Sequence, residues 1–205
     1  MIFHKAKSAF RVGYEVDSAW NDEHLGEFSF SGGYNNVASG PTSVAIGESN
    51  IADEESAVAL GEDNVVFGEA AVAMGDDNLS FGTSSTAIGE ANWVFEDFGI
   101  GIGVDNTADS IGSIAIGSRN TVSNFEATAI GIENIASGLG ASVFGEFSEA
   151  NGTSATALGS VAIADADAST AVGYDAYALG LNSLAVGSFV TADGEGSIAI
   201  GSNNV

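Results

Sequence analysis

Glu48, Glu62, Asp76 and Glu90 stand fourteen residues apart, and Asp63 and Asp77 directly follow two of them. Carboxylates at one repeated position form a column wherever the chain winds with that period. Neighbours about 5 Å apart in water repel by roughly 1 kcal/mol before salt screens them. Calcium or magnesium, which favour oxygen ligands, would relieve that repulsion, so the column is a candidate metal site. A solvated acidic face is the competing reading. Phe67, Phe81 and Phe95 recur at the same spacing with Trp93 beside them, which predicts an aromatic ridge. Such a ridge binds a glycan or a protein surface, or stabilises the sheet by stacking on itself.

Catalytic chemistry has little to draw on. Both histidines, His4 and His24, lie near the N-terminus, and cysteine is absent. Neither a Ser-His-Asp arrangement nor a His-Glu-x-x-His run occurs, so neither an enzyme nor a cofactor is expected, calcium at the acidic column being the one candidate ion. Gly99-Ile100-Gly101-Ile102-Gly103 has the glycine density of a phosphate loop but no lysine follows it, and its glycines fall on repeat positions. Asn78-Leu79-Ser80 and Asn151-Gly152-Thr153 match the glycosylation acceptor pattern, which a recurring asparagine produces by chance.

The elements that position these residues follow from a period. In the pentapeptide Ser43-Val44-Ala45-Ile46-Gly47 the final glycine returns every fourteen residues from Gly33 to Gly201 without a miss. A fixed period signals a repeat architecture in which each unit buries its apolar face against its neighbours. Counting position 1 at the serine, position 3 is nearly always alanine, as at Ala45, Ala59, Ala73, Ala87, Ala115 and Ala129. Position 4 is bulky and apolar, as at Ile46, Leu60, Met74, Ile88, Ile116 and Ile130. Five β-prone residues bounded by glycine predict a strand. Position 8 is asparagine in eight successive coils, at Asn36, Asn50, Asn64, Asn78, Asn92, Asn106, Asn120 and Asn134. Asparagine tolerates turn conformations and its amides stack, which predicts a corner there. Position 10 is small and belongs to a second strand.

Two strands and two turns in fourteen residues give a parallel β-roll, an all-β solenoid rising roughly 4.8 Å per coil and roughly 58 Å over twelve coils. Residues 29–205 hold twelve full coils and a partial one, and residues 1–28, with Phe10, Tyr14, Trp20 and Leu25, read as a cap on the exposed core end. The 205-residue chain carries a formal charge of -24, which argues against nucleic acid or anionic lipid as a partner. The N-terminus lacks a signal-peptide run and no stretch reaches eighteen apolar residues, so direct membrane insertion is not expected. Neighbouring segments are expected to supply export and anchoring.

Positions 1 to 5 contain no charged residue in any coil, whereas all 23 acids after residue 28 fall in positions 6 to 14. Side chains of a strand alternate between two faces, so one face of this charge-free ribbon lines the coil and the other covers something outside it. The bulky residues at positions 2 and 4 are assigned to the lumen and the alanine at position 3 to the outer contact, with the reverse assignment left open, since a face is left to be covered in either case. The natural cover for a stripe repeated along the chain is the same stripe on identical copies in closed symmetry, which predicts a homo-oligomer.

These residues are similar to a known family. Ala38-Ser39-Gly40-Pro41-Thr42-Ser43-Val44-Ala45-Ile46-Gly47 reproduces both halves of the repeat in the heads of trimeric autotransporter adhesins, the YadA-like head. That resemblance implies a left-handed roll, a homotrimer and adhesion at an outer-membrane-anchored cell surface to a receptor, matrix protein or glycan. A virion tail fibre of the same fold is the alternative. An ice-binding solenoid would need a flat threonine array, for which Thr86, Thr128, Thr156 and Thr170 are too scattered.

Overall fold

A computed structural model of the chain describes residues 1–16 and 20–204; residues 17–19 of the expected cap and Val205 of the partial coil lie outside the described residues. The chain forms two compact units, Met1–Val104 and Asp105–Val205. In the first, β1 (Ile2–His4) and β2 (Ala9–Tyr14) precede β3 (Phe30–Tyr34) and β4 (Val37–Ala38). The β3–β4 pattern, five residues and then two, then recurs coil after coil as far as Ile163–Ala164, for example Val44–Glu48 followed by Ile51–Ala52. The second unit repeats it, as at Ile114–Ser118 and Thr121–Val122. Each residue pairs in parallel with the one fourteen further on: Val44 with Val58 and Gly47 with Gly61 in the first unit, Ile114 with Thr128 and Gly117 with Gly131 in the second. Each unit is therefore a parallel β-solenoid.

Glycine at position 5 is a backbone requirement. Gly75 has φ +123°, and a Cβ placed on it would stand 1.9 Å from the carbonyl oxygen of Gly89 in the next coil. The chain turns at two left-handed residues per coil, at positions 7 and 14, such as Ser49 (φ 54°) and Ser56 (φ 59°). They lie seven residues apart, so a coil is two similar half-turns. The corner expected at position 8 is found at positions 7 and 8: the left-handed residue is the one before the asparagine, and the asparagine, lying between the two strands, turns its side chain inward.

The lumen is narrow and lined by small side chains. Ala45, Ala59, Ala73, Ala87, Ala115 and Ala129 are fully buried, together with the asparagines of position 8; the Ser or Ala of position 1 and the Ala, Val or Ser of position 10 are buried beside them. The expected face assignment is thus reversed. Position 3 faces the lumen, and positions 2 and 4 face outward, because a channel walled by backbone on both sides at this spacing has no room for paired isoleucines. Departures from the pattern compensate locally: a Cβ on Gly101 would meet a methyl of Val94, at position 10 of the preceding coil, at 3.0 Å.

Ahead of the first repeat, β2 stacks in parallel on β3, pairing Phe10 with Phe30, Gly13 with Gly33 and Tyr14 with Tyr34. β1 closes that edge antiparallel to β2. Arg11 fills the slot that alanine holds in later coils, fully buried. Its guanidinium donates to the Phe10 carbonyl (3.0 Å), the Ser29 hydroxyl (2.9 Å) and the Ala38 carbonyl (2.8 Å). Burial lowers its pKa to about 10.

Candidate functional site

The outward side of the long strand is the first candidate. In a single chain Val44, Val58 and Val72 are half-buried, and Ile46, Met74, Phe144 and Leu158 are 38–46% exposed. No isoleucine, phenylalanine or methionine is buried among the described residues, and Leu25 is the one buried leucine. This is a largely apolar, charge-free surface, with threonine or serine at position 2 in some coils, supported from behind by a lumen of alanine, serine, asparagine and a few valines. It can associate.

The asparagine column underlies that surface. Asn50 donates through Nδ2 to Asn36 Oδ1 (2.9 Å), Asn64 to Asn50, Asn78 to Asn64 and Asn92 to Asn78, each at 2.9 Å. In the second unit Asn120 donates to Asn106 (2.9 Å) and Asn134 to Asn120 (3.0 Å). Each Nδ2 also reaches the carbonyl of the following coil's glycine, as from Asn50 to Gly61 at 2.7 Å. Ser148 continues the role with a hydroxyl, donating to Gly159 O (3.2 Å) and accepting from Ala162 N (3.0 Å). Beyond it, where position 8 is Ala176 or Val190, the strands Thr170–Ala178 and Leu184–Ala192 run unbroken through the corner. The asparagine thus replaces backbone pairing at the turn with an internal amide ladder. Asn78, fully buried and bonded in it, is closed to glycosylation. Asn151 is half-buried and donates to Glu149 Oε2 (3.2 Å) and Asp165 Oδ1 (3.1 Å).

The acids Glu48, Glu62, Asp76 and Glu90 pair in register on successive coils and are all exposed. Among the described residues no three His, Cys, Asp or Glu side chains gather closely enough to hold a metal ion. Asp63 and Asp77, also exposed, stand beside Glu62 and Asp76 at the left-handed turn position, and elsewhere the column is one carboxylate wide; such a column leaves most of a calcium ion's coordination to water.

Phe67, Phe81 and Phe95 form a continuous stack, with centroids 5.4 Å apart at 28° and 5.8 Å apart at 11°. Trp93 meets Phe95 edge-on at 6.4 Å. The stacked rings cover part of one another's faces and stay partly exposed, as does Trp93. The second unit carries apolar residues that the sequence reading missed: Ile111, Phe125 and Leu139, all exposed, share position 13 in consecutive coils. Their signal was the fourteen-residue period applied to that turn position. The one basic side chain outside the lead segment, Arg119, forms an ion pair with Glu133 of the next coil. Among the described residues, no helix is long and apolar enough to cross a membrane.

Comparison with protein families finds the YadA head domain repeat in overlapping matches at residues 33–50, 38–62, 52–78, 68–90, 96–120, 136–162, 150–176, 164–189 and 178–204. These segments span well over half of the chain. No curated protein matches it.

Proposed function

Because this chain belongs to the YadA head family, whose heads are extracellular parts of surface adhesins, we propose that it is a homotrimeric head that attaches a cell to a receptor through its outer surfaces. The function is structural and adhesive. One observation carries the reading: the bulkiest apolar residues of the repeats, isoleucine, leucine, methionine and phenylalanine, face outward, and the interior of the coils is filled by alanine, serine, asparagine and a few valines. Fully burying an isoleucine or leucine contributes about 1.5–3 kcal/mol, and a lone subunit forgoes much of this at every coil. Sister copies laid against positions 2 and 4 would supply the missing core, and closed symmetry limits the number of copies. Attachment then uses what remains outside, including the acidic column and the aromatic ridge, presented three times over so that weak contacts act together.

Light scattering on the purified chain tests this. The expected mass is three times that of the 20.5 kDa subunit. A stable, well-folded single subunit would overturn the reading.

A further inference from the structure

We propose that the outward face carries keys that fix the register of a sister copy, an inference that rests on the trimeric reading above. Over many coils that face is nearly periodic. Position 2 holds Val44, Val58 and Val72 in succession, and position 4 holds Ile46, Leu60 and Met74. Sliding one copy past another by one coil, about 4.8 Å, sets valine against valine and one flexible aliphatic against another. A uniform repeat specifies register weakly, because such a slip forfeits contacts only at the ends. Something must discriminate against staggered assemblies.

Two places break the period, one in each unit, and they do so in opposite senses. In the first unit Phe10 and Phe30 occupy position 2 and stack at 5.5 Å and 18°. Position 4 of the Phe30 coil is Gly32, and the Phe30 ring lies over it, with Cε1 3.1 Å from where a Cβ would stand. Gly32 has no positive φ, and the atoms nearest that Cβ belong to side chains, so its backbone does not call for glycine. Its smallness makes room for the ring. In the second unit the arrangement is inverted: Ser142 holds position 2 and Phe144 position 4, pairing with Thr128 and Ile130 behind and with Thr156 and Leu158 ahead. In both coils the summed bulk stays close to that of a Val-Ile pair, moved to one end of the strand. Each key fits its own layer. Displaced by one coil, Phe144 of one copy meets a layer already filled by Ile130 or Leu158, and the space beside Ser142 stays empty.

The chain has no cysteine, so single-cysteine variants report which layers meet. Ile116→Cys and Ile130→Cys lie on neighbouring layers of this face. Two differently tagged chains, one with each substitution, are co-expressed and oxidised. The smoothed variant adds Phe10→Val, Phe30→Val, Gly32→Ile, Ser142→Thr and Phe144→Ile to both. We expect same-site crosslinks to dominate in the parent sequence. The ratio of mixed-site to same-site crosslinks should rise at least threefold on smoothing, with the mass still trimeric. A trimer whose ratio is unchanged overturns the keys and leaves the trimeric reading standing. A parent protein that remains a folded single subunit overturns both. Should the fivefold variant fail to assemble, the pair Ser142→Thr and Phe144→Ile is read in the same way.

Discussion

The glycine of position 5 answers to two constraints at once, a left-handed φ and the absence of space for a Cβ. At Gly75 both apply, since the φ is +123° and the Gly89 carbonyl oxygen stands 1.9 Å from a built Cβ. Gly196 shares only the first, with φ +64° and nothing within 4 Å of its Cβ. Other coils place Ser56, Ala70 or Ala168 at that turn position with φ between 52° and 59°, so a side chain is tolerated there. Gly75→Ala should therefore cost about 3 kcal/mol or more, a drop in Tm of roughly 10 °C. Gly196→Ala should stay within about 1 kcal/mol, because the restricted unfolded chain offsets part of the left-handed strain. Thermal melts of the two variants followed by circular dichroism check the contrast. Equal effects would mean that neither the close approach of the next coil nor the wider φ of Gly75 adds to the cost of a side chain in the αL well.

At the scale of the coil, the period was legible because it is written in residues with no substitute, above all the glycines from Gly33 to Gly201. Which face of the long strand is inside was not legible from alternation, which separates two faces without ranking them. The decisive clue was the size of position 10: Ala38, Ala52 and Ala108 share the lumen with Ala45 and Ala115, and small residues facing small residues define a narrow interior. Asparagine was read as a corner residue whose amides stack from coil to coil, and the stack is there; what the pattern did not tell is that it lies inside the coil, closed to water. That distinction predicts a specific cost. Asn78→Ala removes the Oδ1 that accepts from the backbone N–H of Asn92 at 3.1 Å and from Asn92 Nδ2 at 2.9 Å, the latter keeping its bonds to the Ile88 and Gly103 carbonyls, and it removes the Nδ2 that donates to the Gly89 carbonyl at 2.8 Å. Unmade buried hydrogen bonds cost about 1–3 kcal/mol each, so a loss of about 3 kcal/mol is expected from the set. Asn134→Ser should cost half of that or less, because Ser148 already performs the same donation and acceptance one coil on. Chemical denaturation of both variants measures the difference.

For the whole molecule, the reversed faces separate two failures that a single charge-free stripe would have merged. Ala115 is fully buried in the lumen, and Ile116 beside it faces outward and is half-buried. A carboxylate at 115 must be accommodated inside one subunit, where the alanine-sized slots of the channel leave no room for water or a cation, so Ala115→Glu should abolish ordered β-structure at any concentration. Ile116→Glu leaves the lumen and the backbone ladder intact and puts its charge on the face proposed to meet sister copies. It should shift the mass from trimer toward single subunits and make Tm depend on protein concentration, since dissociation then competes with folding. Glu133→Ala removes only an ion pair with Arg119 that is partly open to solvent, worth at most about 1 kcal/mol, and should leave mass and melting nearly unchanged. Light scattering and melts at two concentrations distinguish the three variants. An Ile116→Glu protein that kept the parent's mass and melting point would show that the outward face is not where copies meet, and the bulky side chains of position 4 would then need another cover.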